Sequence, residues 1–600
     1  MNVMKTGSLK DLRKKLVLGS LAALASCVQI PDDGKQPVLA THVDDWRDEV
    51  IYQVLTDRFA DGDENNNFLV RRGFLARYQG GDWKGMREHL DYFKALGVTT
   101  LWISPIIRNV ETDADVDAYH GYWAQDLTQL NPHFGDLAEL RRLTAAAHEQ
   151  GMKIVLDIVT NHMGQIFFYD MNLNGNADIY IGGTGTSSPV TRVSEFDPDY
   201  DTRGIQASTS LGEAGRAPLI FINTPGIQRV PPPGILGTAV AYHGRGRTLN
   251  YDIPEQRLFG DFPGGLKDVA TENPEVRRVM IDNYTHWAEA ADLDGFRIDT
   301  VKHVEEDFWN EFAKGVRDRL APQNKKKFLM FGEAFDGNDE LLGRYTQPGR
   351  LDSVFYFSQH YQVFRDIFQN AAFPGQQAPT SHVKKLYDSR EKNWGQEPQP
   401  GGVGVAPARL PVNFIDNHDV ARFLFGLQGV REPLRTNIFH NALSYLLTAE
   451  GIPCVYYGTE QAFAGGNDPS NREVLWTTNF DTTGDAFRHI AKLTSLRREH
   501  IALRRGRATL RFTTEHVGSE DDAGLLAYER SGPDAGNDYA LVVINTHPDK
   551  PASATFASGL PSAAALKDVL GVRGDVLNVD ATGNVRVLVD PMTTMIFVKQ

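Results

Sequence analysis

The sequence predicts an α/β protein: a (β/α)8 barrel with a subdomain inserted after the third strand and a C-terminal all-β sandwich domain. After residue 46, eight short apolar runs follow one another, and helical patterns lie between several of them. Strands that alternate with helices form parallel sheets, and eight such strands close a barrel. The runs are residues 50–55, 99–103, 154–159, 295–298, 328–331, 354–357, 412–415 and 452–457.

Helix signals lie between the predicted strands. Apolar side chains recur at helical spacing from Leu137 to Ala147, and Gly151 follows as a residue that ends helices. Asn273 followed by Pro274 is the pattern of a helix N-cap and a first helical position. Both segments are therefore predicted to be helices of the barrel.

Two regions interrupt this alternation. Residues 163–264 are rich in Gly, Pro, Asn and Asp. Because a structureless loop of this length is uncommon inside a domain, they are predicted to form an inserted subdomain. The catalytic barrel would then comprise residues 46–162 and 265–500. Over residues 501–600 the pattern changes to short strands, which predicts the terminal β-sandwich.

The composition indicates a folded protein of two or three domains. The chain has 600 residues, 41% of them apolar, and a formal net charge of −15. This apolar fraction supports a large core, and the length exceeds that of one ordinary domain. Phosphate binding needs clustered Lys and Arg, so the acidic balance argues against a nucleic-acid partner and suits a neutral ligand. We expect a monomer.

The first 26 residues are predicted to be an export signal. Basic residues precede an apolar stretch, residues 16–25, that is too short to span a bilayer. The stretch ends in Leu24-Ala-Ser-Cys27, which resembles the lipobox of bacterial lipoproteins. The resemblance implies a lipid on Cys27, a tether over residues 27–45, and a location at the bacterial cell envelope, outer membrane or cell surface, or release from it. An ordinary signal peptide with a chance cysteine is the alternative.

Cys454 is the only other cysteine. If Cys27 carries lipid, no intramolecular disulfide forms, and a large core must stabilise the exported protein. Cys454 lies in an apolar run and is predicted to be a buried packing residue.

Acidic and polar residues cluster where predicted strands end. A carboxylate at one strand end has a simple explanation as the N-cap of the next helix. Several at one rim point instead to the active-site face of a (β/α)8 enzyme. The residues are Asp157, Asn161, His162, Asp299, Glu333, His418 and Asp419.

The segments around these residues follow one another in a specific order. They are Asp157-Ile-Val-Thr-Asn-His162, Gly295-Phe-Arg-Ile-Asp-Thr-Val-Lys-His303, Phe331-Gly-Glu-Ala334 and Phe414-Ile-Asp-Asn-His-Asp419. They resemble the four signature motifs of the α-amylase family, glycoside hydrolase family thirteen, and come closest to α-amylases and cyclodextrin glucanotransferases. Segments 118–123 and 465–472 resemble two further sugar-binding segments of that family. The resemblance spans residues 49 to 480.

The resemblance implies catalytic roles for three carboxyl groups. Asp299 would be the nucleophile, Glu333 the general acid and then the base, and Asp419 a group that binds sugar hydroxyls and helps to distort the ring. Retaining glycosidases need two carboxyl groups about 5 Å apart, one ionised and one protonated. Arg297, two residues before Asp299, faces the same side of the strand and is expected to keep that carboxylate charged. Glu333 lies between Phe331 and Phe335, which is consistent with a raised pKa.

The resemblance also implies a set of substrate-binding residues. Three histidines would donate to sugar hydroxyls, a tyrosine would stack on a sugar ring, and charged residues would hold the neighbouring sugars on either side. They are His120, Tyr122, His162, Arg297, Lys302, His418, Asp468 and Arg472.

Calcium is the implied cofactor, because hard oxygen ligands suit Ca²⁺. One group resembles a calcium loop of cyclodextrin glucanotransferases and some amylases, although a solvated turn is the alternative. A second group would join the barrel to the inserted subdomain through the Asn161 side chain, Asp268 and the His303 carbonyl. There the family's usual Leu-Pro-Asp-Leu-Asp appears as Leu266-Lys-Asp-Val-Ala270, which weakens Asp268. The first group consists of Asp61, Asp63, Asn66, Asn67, Gly80 and Asp82.

The activity implied by the resemblance is retaining, endo-type hydrolysis of α-1,4-glucosidic bonds in starch, glycogen or maltooligosaccharides. A transglycosylase or cyclomaltodextrinase of the same family is the alternative. Cyclodextrin-forming enzymes usually carry further β-domains, and this chain stops at Gln600, which favours hydrolysis. A non-catalytic carbohydrate-binding or scaffold protein on the same barrel is the third hypothesis, and the presence of all three carboxylates argues against it.

Overall fold

The structure is a computed structural model. It describes residues 36–113, 115–169, 175, 218–225, 227–245, 248, 250–262, 265–571 and 576–600. The predicted signal segment, Cys27 and much of the predicted subdomain lie outside these residues. Within the described ranges, no helix is both long enough and apolar enough to cross a bilayer.

The predicted barrel is confirmed: eight parallel strands form one sheet, and each overlaps a predicted run. The sixth match is the shortest, because the strand Ser353–Val354 overlaps the predicted run 354–357 at Val354 alone. The strands are β1 (Ile51–Val54), β2 (Thr100–Ile103), β3 (Lys153–Ile158), β4 (Gly295–Ile298), β5 (Leu329–Gly332), β6 (Ser353–Val354), β7 (Val412–Asn413) and β8 (Ile452–Tyr456).

The sheet closes on itself. Its strand order is β6-β5-β4-β3-β2-β1-β8-β7. A parallel bridge between Phe355 and Val412 joins the two ends, where the Tyr356 N–H donates to the Val412 carbonyl oxygen at 2.9 Å. The interior is filled by side chains that include Trp102, Phe331 and Cys454, so Cys454 is the buried packing residue that was predicted.

Helices surround the barrel, and both predicted helices are confirmed. The Asp136 side chain accepts from the Glu139 N–H at 2.8 Å, and the Asn273 side chain accepts from the Glu275 N–H at 3.0 Å, so both helices have N-caps. The helices of six or more residues are Trp83–Glu88, Leu90–Leu96, Leu137–Glu149, Pro254–Phe259, Pro274–Ala290, Glu306–Leu320, Asp339–Arg344, Ser381–Asn393, Leu434–Thr448, Asp485–Glu499 and the π-helix His360–Phe368.

The chain leaves the barrel after β3 and returns before the helix Pro274–Ala290. The short strand His162–Met163 pairs antiparallel with Lys267–Asp268, so the two ends of the inserted segment meet beside the end of β3. Between them the structure describes the strand pairs Phe168–Tyr169 with Leu219–Ile220 and Asn223–Thr224 with Ile227–Gln228. The insertion therefore begins and ends at the rim where the site residues lie.

The C-terminal domain is the predicted all-β sandwich. A six-stranded sheet faces a two-stranded sheet over a core that includes Leu541, Val587 and Phe597. The larger sheet consists of Arg507–Phe512, Leu525–Ser531, Ala540–Asn545, Ala565–Asp568, Val576–Asn578 and Thr593–Lys599, and the smaller one of Ala552–Ala557 and Asn584–Val589.

The N-terminal segment is bound by polar contacts at the N-terminal ends of the barrel strands. His42 Nε2 lies 2.8 Å from Asp292 Oδ2, and the Trp46 Nε1–H donates to the Lys327 carbonyl oxygen at 2.7 Å. Asp292 and Lys327 immediately precede β4 and β5, so they lie at the N-terminal ends of these strands. The described chain therefore starts on the face opposite the carboxyl ends of the strands.

Candidate active site

Two carboxyl groups are placed by the barrel's own hydrogen-bond ladder. Asp299 follows β4 directly, and its N–H donates to the Ile158 carbonyl oxygen at 2.9 Å. Glu333 follows β5, and its N–H donates to the Ile298 carbonyl oxygen at 2.8 Å. Because sheet pairing extends up to these residues, their backbones are as fixed as the strands themselves.

Arg297 joins the carboxyl groups at the centre of the site. This guanidinium is fully buried on β4. Its Nη1 donates to Asp299 Oδ1 at 2.8 Å and to Asp157 Oδ1 at 2.9 Å, and its Nη2 donates to Glu333 Oε2 at 2.9 Å. A buried cation is costly unless it is paired, so Arg297 requires these carboxylates as much as they require it. The arrangement brings Asp299 and Glu333 next to each other, as predicted.

The backbone between the two carboxyl groups is strained. Thr300 has a φ of +49°, in the left-handed region that β-branched residues rarely adopt. In this conformation its N–H donates to Glu333 Oε2 at 3.2 Å. Strain of this kind persists only where the surroundings enforce it, and here it aims a backbone donor at the second carboxyl group.

The pKa values of the two carboxyl groups are both raised. Burial raises the pKa of Glu333 from 4.5 to about 8, against the opposing charge of Arg297, and the negative charges of Asp299 and Asp419 add to the rise. Burial also raises the pKa of Asp299 to about 6, with Arg297 opposing it. Arg297 therefore moderates the pKa of Asp299 but does not lower it below the ordinary value. Near neutral pH one carboxyl group is ionised and the other is protonated.

The third carboxylate, Asp419, lies beside His418 at the end of β7. His418 Nε2 is 3.1 Å from Asp419 Oδ2, and Gln53 Nε2 is 2.6 Å from His418 Nδ1. Burial and the nearby arginines hold the pKa of His418 well below its usual value, so the ring is neutral. Gln53 donates to Nδ1, which leaves the proton on Nε2, where it faces Asp419. Sequence reasoning missed Gln53, because a glutamine inside a barrel strand carries no motif.

Asp157 is a second residue whose role sequence reasoning missed. Its Oδ2 accepts from the Tyr122 hydroxyl at 2.6 Å and from Trp102 Nε1 at 3.0 Å, in addition to its contacts with Arg297. It thereby orients the predicted stacking residue Tyr122, whose ring also stacks on His418 at 5.1 Å. Its position in the first motif was the available signal.

His120 and His162 are held as neutral rings on the opposite wall. The Tyr122 N–H donates to His120 Nδ1 at 3.1 Å, and Asn161 Nδ2 lies 3.2 Å from His162 Nδ1. Burial lowers the pKa of both rings, that of His162 to about 4. His162 Nε2 is buried and has no hydrogen-bond partner among the described residues. Each ring therefore presents an Nε2–H donor.

Charged residues lie on both sides of the centre. Arg472 Nη1 is 3.0 Å from Asp468 Oδ1, and Arg472 Nη2 donates to the His418 carbonyl oxygen at 3.0 Å. On the Glu333 side, Lys302 contacts the Phe335 carbonyl oxygen and lies 3.7 Å from Asp336 Oδ2. The site thus has two ends, one marked by Asp468 and Arg472 and the other by Lys302 and Phe335.

These side chains border one cleft of about 430 Å³. All three predicted catalytic residues and all predicted substrate-binding residues except Arg297 line it, while Arg297 lies directly behind Asp299. Sequence reasoning missed the following lining residues: Val116, Trp123, Phe262, Leu266, Thr300 and Phe335.

The first predicted calcium group fits a hard cation. Asp61 Oδ1, Asn66 Oδ1 and Asn67 Oδ1 are buried oxygens without a hydrogen-bond partner among the described residues. A Cβ on Gly80 would lie 2.3 Å from Asn67 Oδ1 and 3.3 Å from Asp61 Oδ2, so only glycine fits there. Asp82 accepts from the Asp63 and Gly85 N–H groups and orders the loop. The Arg72 guanidinium contacts Asp61 Oδ2, while Asp61 Oδ1 and the two amide oxygens stay without a donor. Buried oxygens left without a donor are what a calcium cage needs.

The second predicted calcium group does not fit a calcium cage among the described residues. The Asp268 carboxylate contacts His243 Nδ1, and His243 Nε2 lies 2.9 Å from Glu272 Oε2. Burial lowers the pKa of His243, but the two carboxylates outweigh it and raise the pKa above its usual value. His303, whose backbone carbonyl was the predicted ligand, has its ring Nδ1 3.2 Å from the Arg257 carbonyl oxygen. Burial raises the pKa of Asp268 to about 7, against the opposing charge of His243. The carboxyl group assigned to the metal therefore already has a buried partner in His243.

Comparison with known proteins identifies the family. Residues 53–199 and 255–494 match the model of the α-amylase catalytic domain, and residues 517–600 match that of the α-amylase C-terminal all-β domain. The chain therefore belongs to the α-amylase family of glycoside hydrolases. Membership of this family agrees with the three carboxyl groups in the cleft and argues against the hypothesis of a non-catalytic protein.

Several relatives are similar over most of the chain. An α-amylase of Streptomyces lividans is 32% identical over 80% of this chain, which spans 52% of that sequence, about half. A cyclomaltodextrin glucanotransferase of Bacillus sp. (strain 1011) is 28% identical over 97% of this chain and 70% of its own length. The crystal structure of an Anoxybacillus α-amylase has a TM-score of 0.69 at 27% identity and covers 93% of this chain and 99% of that one.

If Asp299 is the nucleophile and Glu333 the general acid, the two raised pKa values predict a bell-shaped dependence of kcat/KM on pH. Asp299 must be ionised to attack, so the rate falls as pH drops through about 6. Glu333 must be protonated to act as the acid, so the rate also falls as pH rises through about 8. Initial rates on a maltooligosaccharide between pH 4 and pH 10, with [S] well below KM, test this. A basic limb near 4.5, the ordinary value for glutamate, would contradict the assignment of Glu333.

Proposed function

We propose that this enzyme hydrolyses internal α-1,4-glucosidic bonds of starch, glycogen or maltooligosaccharides with retention of configuration. The observation that carries the proposal is the pair Asp299 and Glu333, held by one guanidinium but with different pKa values. Two adjacent carboxyl groups, one ionised and one protonated, are the requirement for a covalent glycosyl-enzyme mechanism.

The reaction then runs in two displacements. In the first, the Glu333 carboxyl donates its proton to the glycosidic oxygen while Asp299 attacks the anomeric carbon, and the leaving chain departs with a free hydroxyl. In the second, the Glu333 carboxylate takes a proton from water, the water oxygen attacks the anomeric carbon, and the bond to Asp299 breaks. Both carboxyl groups end in their starting protonation states.

The surrounding residues position the sugar at the cleavage point. The neutral rings of His120 and His162 donate Nε2–H to sugar hydroxyls, and Tyr122, held by Asp157, offers its ring face to the C–H face of the sugar. Asp419 accepts from further hydroxyls, with His418 beside it. A neutral polyol suits this set, since most of these groups are donors or acceptors without net charge.

Transglycosylation is the second candidate function. Phe335, 38% exposed, lines the cleft beyond Glu333 and offers an apolar face to a sugar acceptor that would compete with water. The number of domains does not separate the two activities. CldA, a cyclomaltodextrin glucanotransferase with a three-domain ABC distribution, has the same fold at a TM-score of 0.68, with 24% identity over 92% of this chain and 99% of that one.

Products from maltoheptaose and soluble starch, analysed side by side, test the proposed reaction. We expect short linear maltooligosaccharides and a rapid loss of iodine staining, because an endo-acting enzyme cuts inside the polymer. Proton NMR at early times should show new reducing ends in the α configuration. Cyclic products or chains longer than the substrate as the main products would favour transglycosylation, and β-configured ends would contradict the covalent intermediate.

Matched variants connect this reaction to the site. Asp299→Asn and Glu333→Gln keep side-chain volume, so both should fold and lose more than about 1,000-fold in kcat. Asp534→Asn, at a half-exposed carboxylate of the C-terminal domain, is the control. Retention of about a tenth of the activity, which corresponds to about 1.4 kcal/mol of barrier, would refute the assigned roles.

We also infer that the loop built around Asp61, Asn66 and Asn67 binds calcium. The orphaned oxygens and the glycine at position 80 support this inference. Calcium has no redox chemistry and is held here away from the reacting carboxyls, so its role would be to stabilise the loop.

Chelation should therefore lower the melting temperature by about 5 °C, because an ion that binds only the folded state stabilises it by mass action. Calcium should restore the melting temperature and magnesium should not, since magnesium prefers smaller octahedral sites. Melting curves with EGTA at matched ionic strength, together with elemental analysis, provide the measurement. Asp61→Asn should lose the bound calcium, whereas Asp268→Asn should retain it. Identical curves and no bound calcium would exclude the site.

We further propose that Cys27 anchors the protein in a bacterial membrane. The proposal rests on the lipobox pattern, and the path of the chain suits it. His42, near the end of the predicted tether, contacts Asp292, and Trp46, directly after the tether, contacts the Lys327 carbonyl oxygen, so the chain enters the barrel opposite the cleft. An anchored enzyme would thus present its cleft away from the lipid.

Cell fractionation of wild type and Cys27→Ala tests the anchor. Two or more acyl chains bind a membrane stably, so wild type should sediment with the membranes and the variant should be soluble. Labelled fatty acid should enter wild type alone. Equal release of both proteins into the soluble fraction would refute the lipobox.

A further inference from the structure

A loop outside the cleft exposes an unusual number of apolar side chains. Phe74 is 69% exposed, Leu69 is 53% exposed and Phe68 is 41% exposed. A single exposed apolar residue is common on protein surfaces. Three within seven positions of one loop form an apolar patch, and such a patch is typical of a binding site. Phe74 is the most exposed phenylalanine among the described residues.

Buried side-chain contacts hold this loop rigid. Gln79 is 1% exposed, and its Nε2 donates to the Phe74 carbonyl oxygen at 2.9 Å and to the Arg77 carbonyl oxygen at 3.0 Å. Its Oε1 accepts from the Gly73 N–H at 3.1 Å. A buried amide that satisfies the backbone on both sides of Phe74 fixes the backbone from which the exposed ring projects.

One buried guanidinium connects the loop to the cleft. The Nη2 of Arg58 donates to the Leu75 carbonyl oxygen at 2.7 Å, and its Nη1 donates to the Arg472 carbonyl oxygen at 2.9 Å. The guanidinium also lies over the Tyr119 ring at 3.7 Å, and the Tyr119 hydroxyl lies 3.3 Å from Asp468 Oδ1. The residue after Phe74 and the two sugar-binding residues at one end of the cleft thus share one rigid support.

The loop also continues the wall of the cleft. The Asp117 N–H donates to the Ala76 carbonyl oxygen at 2.9 Å, and Asp117 Oδ2 accepts from the Tyr78 N–H at 3.2 Å. The neighbouring Val116 lines the cleft. The loop is therefore hydrogen-bonded to a segment that lines the cleft.

We propose that Phe74 is a remote glucan-binding platform, on which a sugar of a long α-glucan stacks after the chain has passed Asp468 and Arg472. The proposal rests on the proposed function and adds a residue that determines preference for chain length. The aromatic face suits the C–H face of a glucosyl unit. Three side chains cover far less area than the roughly 800 Å² that each partner buries in a stable protein interface. The size of the patch therefore favours a sugar chain over a second protein.

The ratio of kcat/KM for maltoheptaose to kcat/KM for maltotriose tests this platform. In Phe74→Ala the ratio should fall about fivefold, which corresponds to about 1 kcal/mol of lost stacking. Phe74→Trp retains an aromatic face and should keep the wild-type ratio. Leu588→Ala removes an apolar side chain that is 54% exposed in the C-terminal domain, and its ratio should equal that of wild type. Because Phe74 is mostly exposed, these variants should have the same melting temperature as wild type.

An equal ratio in wild type and Phe74→Ala would overturn the proposal, as would the same loss in Phe74→Trp. The proposal would also be wrong if wild type sedimented as a dimer and Phe74→Ala as a monomer. That result would make the patch a contact between two copies of the chain. If wild type cleaves neither substrate, the proposed function fails. Calorimetric titration with maltoheptaose then tests the platform separately, and a Kd about fivefold higher in Phe74→Ala than in wild type would support it.

Discussion

The site depends on the contacts of one buried guanidinium with three carboxyl groups. Arg297 has no access to water and contacts Asp157, Asp299 and Glu333 at 2.8–2.9 Å. Removing Arg297 would leave buried carboxyl groups without their cation, which is among the costliest changes in a protein interior. Geometry and protonation are therefore set together, because the same cation that aligns the carboxyls also limits how far burial raises their pKa values.

The barrel supplies the burial that this contact needs. Trp102 and Phe355 fill its interior beneath Arg297, and the strand ends deliver the polar groups to one rim. Burial raises the pKa of both Glu333 and Asp299, and Arg297 opposes the rise, so that the two groups can differ in protonation at the same pH. A solvated pair of carboxyls would both ionise near pH 4 and could not divide the roles.

The rigid loops that surround the cleft are held by a second layer of buried polar groups. Arg58, Gln79 and Asp57 each satisfy several backbone groups of the segment between residues 71 and 80. This segment carries Phe74 and ends at Gly80, which belongs to the loop proposed to bind calcium. α-Amylases and their transglycosylating relatives share the barrel, and the catalytic carboxyl groups alone do not determine which acceptor is used. We therefore expect such loops to account for the difference between the two activities.

The sequence by itself determined the barrel, the sandwich and the carboxyl pair, because strand runs, helix caps and ordered motifs are local signals. Asp299, Glu333 and Asp419 were recognisable for this reason, as were the oxygen-rich residues around Asp61. Only the tertiary structure decided which groups meet when they lie between 25 and 365 residues apart. It placed Gln53 behind His418, gave Asp157 its role in holding Tyr122, and paired Asp268 with His243 where a metal ligand was expected. Such contacts depend on packing between distant segments, and spacing along the chain does not encode them.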